Sequence, residues 1–155
     1  MRSGGILGTV GILTAARAAA PGFAGETFCR ELCAAGKRLG LDVFAFTPES
    51  VRHGPDGVFV QALRPGEDGS GWRAETAKMP DVVYDRHFAA SRAELARYRA
   101  ALQLLAAQAP GGARLLGGGL PGKRAVQRML ARDPELAPHL PPTARCVRRA
   151  VWWQH

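Results

Sequence analysis

The sequence predicts an α/β domain: a mostly parallel sheet with flanking helices and a small β-hairpin. Three observations carry this. Short apolar runs alternate with amphipathic stretches of helical period, the pattern of strands joined by crossover helices. Glycine and proline clusters fall between those segments. The 155 residues are 46% hydrophobic and 22% charged, enough apolar surface to build a core.

The apolar run at 5–13 reads as a buried first strand. Its flanks, a lone Arg2 ahead and Ala18, Ala19 and Ala20 behind, resemble a secretory signal superficially, but Gly4, Gly5, Gly8 and Gly11 interrupt it. A retained strand implies a cytoplasmic protein whose Cys29, Cys33 and Cys146 stay reduced. A helix follows over 23–38. Phe28, Leu32, Ala35 and Leu39 recur at helical spacing as its apolar stripe, and Gly40 supplies the C-terminal stop. Residues 42–47 (DVFAFT) form the next strand, ended by Pro48.

Residues 58–75 contain two short runs, VFVQAL and GWRAE, around the turn-rich RPGEDGS, which marks the hairpin. Pro80-Asp81 then introduces the buried strand VVY, ending at Asp85-Arg86-His87. Ser91 and Glu94 form a capping box that opens a helix to about residue 108, with Leu95, Tyr98, Leu102 and Leu105 as its stripe. Residues 113–116 make a short strand and 123–131 a helix, and ARCV in the tail is strand-like.

Composition and spacing exclude several functions. No apolar run reaches the roughly 18 residues of a membrane span. Lys+Arg 21 against Asp+Glu 13 gives a net charge of +8. The arginines are scattered and lack the interleaved aromatics of a nucleic-acid stacking platform, so a basic nucleic-acid-binding domain is the less favoured reading. Gly117 to Lys123 matches G-x-x-x-x-G-K, but Arg124 stands where a P-loop needs a hydroxyl for Mg²⁺. The early glycines lie within a strand, so they do not form a dinucleotide fingerprint. Cys29 and Cys33 share a helix face without further ligands at metal spacing, which reads as two cysteines in a packed core, and no Gly-x-Ser-x-Gly is present.

Two features point to anion binding. Arg86 follows a buried strand at its carboxyl end, where open α/β sheets place ligands, and an arginine there clamps a carboxylate or phosphate. Lys123 opens a helix, where free amides and an ammonium together favour an anion.

In order along the chain, GILT, KRLGLDVFAFTPE, PDVVYDR and LPGKRAVQRML…DPELAPHLPPT resemble the amino-terminal part of YheC/YheD-type proteins, endospore coat-associated members of the ATP-grasp superfamily. The resemblance covers residues 11–143. It implies a Rossmann-like pre-ATP-grasp domain over 1–120, then a linker helix and the start of a truncated ATP-grasp domain over 121–155. It assigns Lys123 to the phosphates of ATP, and Arg86 and Asp85 to a small-molecule acceptor. It implies ATP and Mg²⁺ as cofactors of the full-length family, no tight binding of either by this chain alone, and an incomplete carboxylate ligase that is not catalytic by itself. A non-catalytic structural or binding module of the spore coat is the alternative. Trp152 and Trp153, two large apolar groups near the end, predict self-association.

Overall fold

A computed structural model of the chain describes residues 6–19, 22–67, 71–107, 113–116 and 123–142. The chain divides into two compact units, 1–118 and 119–155.

The first unit is α/β. Its strands are β1 (Gly8–Leu13), β2 (Leu41–Phe46), β3 (Val51–Gly54), β4 (Gly57–Pro65), β5 (Trp72–Lys78), β6 (Val82–Asp85) and β7 (Arg114–Leu116). Helix α1 (Glu26–Arg38) joins β1 to β2, and α2 (Arg92–Ala106) joins β6 to β7. The strands form one sheet in the order β3-β4-β2-β1-β6-β7, with β5 also pairing with β4.

The sheet is mixed rather than mostly parallel. β1 pairs in parallel with β2 and β6, and β6 with β7. β4 is antiparallel to β2, β3 and β5. The expected small hairpin is therefore a three-stranded antiparallel meander. It gains β3 because Gly54-Pro55-Asp56-Gly57 makes a tight turn that returns the chain along Val51–Gly54.

Alternation along the central strands builds a core on each face. Leu13, Phe44, Phe46 and Val83 pack with Ala101 and Leu105 of α2. Ile12, Val43 and Ala45 pack on the other face with Phe23, Cys29 and Cys33. α1 starts three residues later than its sequence predicts. Phe23 is bridged to Ala16, and Gly25 takes a left-handed φ of 75° at the helix entrance, so the chain turns before it coils. Its buried residues are Cys29, Cys33 and Gly36, not the larger stripe expected, and Leu39 is 66% exposed. Small side chains let the helix approach the sheet, and Phe28 and Leu32 flank the contact partly buried. α2 begins as expected: the Ser91 hydroxyl accepts from the Glu94 N–H (3.1 Å), while Glu94 Oε2 accepts from the Ala90 N–H (2.7 Å), one residue earlier than in a standard capping box.

The second unit contains α3 (Lys123–Leu130) and a 3-10 turn at Ala137–His139. Asp133 Oδ1 accepts from the Glu135 and Leu136 N–H groups between them. The predicted tail strand, Trp152, Trp153 and Cys146 lie outside the described residues. Among the described residues no helix is long and apolar enough to cross a membrane.

Candidate functional site

β1 and β6 lie side by side and parallel, but their connections leave in opposite directions: β1 leads to β2 on one side and β6 to β7 on the other. Such a switch point opens a crevice beyond the carboxyl ends of the two strands. Here the residues that follow those ends are Thr14 and Ala15 after β1, which lead to Gly25 and the first turn of α1, and Asp85-Arg86-His87 at the end of β6.

The walls are fixed by local bonds. The Thr14 N–H donates to the Phe46 carbonyl (2.9 Å), and its buried hydroxyl donates to the Ala24 carbonyl (2.8 Å), tying the β1–α1 loop back to the strand. The Arg86 N–H donates to the Leu13 carbonyl (3.0 Å), extending the β1–β6 ladder by one rung.

Asp85, Arg86 and His87 are consecutive, yet the structure separates their side chains. Asp85 and His87 turn toward α2. The Tyr98 hydroxyl donates to Asp85 Oδ2, the His87 N–H donates to Asp85 Oδ1 (3.1 Å), and the His87 ring stacks on Tyr98 at 4.7 Å and 9°. Burial, reinforced by the bond and charge of Asp85, pushes the Tyr98 phenol up to about 12, so the proton stays on the phenol. Asp85 thus anchors the strand–helix corner, with both oxygens accepting within the protein. His87 Nδ1 is buried without a hydrogen-bond partner.

Arg86 turns the other way, onto α1. Its guanidinium carbon lies 4.1 Å from the Phe28 ring centroid, and a Cβ at position 25 would lie 3.5 Å from its Nε. Among the described residues it forms no ion pair, with Asp85 or any other acid. The helix start beneath it has no side-chain cap, so the first amides of α1 keep their donors. The acid of that turn, Glu26, is engaged elsewhere: it accepts from Arg30 (2.8 Å) and from the Trp72 indole (3.1 Å). A guanidinium and the positive end of a helix therefore converge with no negative partner between them, an arrangement suited to a carboxylate or phosphate. Cys29 lies nearby, and burial pushes its thiol up to about 11 against the opposing pull of Arg86.

Lys123 is the first residue of α3, exposed, in the second unit. The structure brings Arg86 together with Gly25 and Phe28, and Asp85 with Tyr98 and His87. The sequence places His87 beside Asp85 and Arg86 at the end of the strand, but it does not show Gly25, Phe28 and Tyr98 as neighbours of the site. Strand alternation was the available signal, since it puts residues 85 and 87 on one side and 86 on the other. Among the described residues no three His, Cys, Asp or Glu come together to hold a metal. The fold and crevice define an α/β domain with a cationic, uncapped switch point. No family model matches the chain and no curated protein matches it.

Proposed function

We propose that the crevice at the ends of β1 and β6 receives the anionic group of a small molecule, with Arg86 as its clamp, and that the chain serves as the leading α/β layer of a YheC/YheD-type ATP-grasp protein. The observation that carries the anion reading is the guanidinium of Arg86 beside the uncapped start of α1. In support of a Rossmann-like layer, β2-β1-β6-β7 are parallel and α1 and α2 pack on opposite faces. The family resemblance assigns ATP phosphate contact to Lys123 and acceptor contact to Arg86 and Asp85; with both Asp85 oxygens accepting from His87 and Tyr98, Arg86 is the one of the pair that is turned to an acceptor. It gives Mg²⁺ to other lobes, and no residue described here is assigned to it. On this reading the chain's own contribution is to fix the acceptor by a bidentate bond and to orient it through the rigid ends of two strands.

Titration of the chain with succinate and with inorganic phosphate, followed by amide NMR, tests this. Saturable shifts are expected at residues 14–16, 25–28 and 85–87. Arg86→Ala is expected to weaken binding about tenfold or more, the scale of a lost charge-assisted bond, and Arg86→Lys to restore part of it. A folded Arg86→Ala variant that binds both anions as tightly as the parent overturns the reading.

A further inference from the structure

We propose a second binding site, independent of the first, for an organic anion with an apolar body, at the opposite end of the sheet. A cavity of about 590 Å³ opens there between α1, the start of β2 and the end of β4. β4 runs antiparallel to β2, with Leu63 opposite Ala45, so Arg64 and Pro65 run on toward the start of β2 and line the cavity with Asp42 and Val43. The volume is that of an ordinary small-molecule site, roughly 300–1,000 Å³.

The lining has two characters. Cys33, Leu41, Val43 and Pro65 offer apolar surface. Burial pushes the Cys33 thiol up to about 11, so it remains neutral and belongs to the apolar part. The charged part is unbalanced: Arg30, Lys37, Arg64 and Arg73 face only Asp42 and Glu67.

The ion pairs show which charges are spent. Arg64 donates to both oxygens of Asp42 and to Glu75, which uses three of its five N–H groups and neutralises Asp42. Its guanidinium also stacks 4.9 Å from the Phe44 ring centroid, so it is a fixed wall. Arg30 is held by Glu26 and lies 5.2 Å from the Trp72 ring centroid. Lys37 forms no ion pair among the described residues. Arg73 meets Glu67 only at 3.8 Å, with side chains 60% and 89% exposed, a pairing that solvent nearly cancels. Lys37 and Arg73 thus remain as cations above an apolar floor. That combination selects a carboxylate or sulfonate carrying an alkyl or aromatic body. A neutral amphiphile gains only the floor, and a small inorganic anion only the rim.

The probe is octanoate, with octanamide as its uncharged counterpart, titrated into the full isotope-labelled chain. Octanoate is expected to shift amides within 33–43 and 64–67 saturably, and to bind at least tenfold more tightly than octanamide. Lys37→Gln combined with Arg73→Gln is expected to remove most of that difference. Ala34→Trp, an exposed position at the cavity wall, is expected to block octanoate while leaving the thermal midpoint nearly unchanged. Equal binding of the two probes overturns the proposal. So does undiminished octanoate binding by the double variant or by Ala34→Trp, or shifts confined to 14–16, 25–28 and 85–87. Because Arg86 lines no part of this cavity, Arg86→Ala leaves the octanoate-induced shifts within 33–43 and 64–67 intact, and the two sites fail or stand separately.

Discussion

Gly36 shows how one missing side chain sets the distance between layers. It lies buried near the end of α1, and a Cβ there would sit 2.2 Å from Cγ2 of Val43 on β2. Alanine would improve intrinsic helix propensity by about 1 kcal/mol. The overlap decides against it, because a β-branched side chain on a central strand has little freedom to turn away. Gly36→Ala is expected to lower stability by a net 1–2 kcal/mol or so in urea unfolding, the scale of overpacking less the propensity gain. Adding Val43→Ala opens the space, so the double variant is expected to lose at least about 0.5 kcal/mol less than the two single losses combined. This contact also explains why the sequence misplaces the buried stripe of α1. Hydrophobic weighting selects Phe28, Leu32, Ala35 and Leu39, but close approach is made by small residues, so the line of contact runs through Cys29, Cys33 and Gly36. The shared core face of Cys29 and Cys33 is legible from sequence; that this face and not the larger stripe makes the closest approach, through Gly36, is not.

At the scale of elements, legibility follows the strength of local chemistry. α2 is readable because Ser91 carries its own signal: a hydroxyl that satisfies an amide three residues on. Ser91→Ala is expected to cost about 1 kcal/mol, and Ser91→Asp to retain most of the stability, in the same unfolding measurement. The turn between β4 and β5 is readable for a similar reason, through its glycines and proline. β3 is not, because Val51–Gly54 is four residues long and buries only Val51. Its place is fixed by pairing along β4, a tertiary cause. The direction of pairing is equally hidden: β2 meets β4 through the single antiparallel pair Ala45 and Leu63, reinforced by Arg64 on Asp42, and no local pattern in VFVQAL states it. For the crevice, the sequence supplies the end of β6 and the candidacy of Arg86. It does not supply Phe28 and Gly25 beneath the guanidinium, since those contacts depend on where α1 begins.

At the scale of the whole first unit, the central strands carry a buried core on each face, and each core places a titratable group where ionisation is opposed. Cys29 and Cys33 sit in the α1 core with thiols pushed up to about 11, chiefly by burial. Tyr98 packs against the α2 core with its phenol pushed up to about 12, by burial and then by Asp85. In all three the folded state holds its proton more tightly than the unfolded chain does. Below about pH 9 both states are protonated at the thiols, and their full contribution to stability is present. As pH rises from 9 toward 11 the unfolded thiols ionise first, and stability falls; Tyr98 adds the same trend between about 10 and 12. Stability in urea is therefore expected to be level to about pH 9 and to decline steeply above it. Replacing Cys29 and Cys33 together with serine removes two titrating groups. The variant is expected to start from lower stability at pH 8 but to lose it with a shallower slope between pH 9 and 11. Identical slopes for the parent and the variant would mean that the thiols are no more protected from ionisation in the folded chain than in the unfolded one, contrary to a sheet sealed on the face that α1 covers.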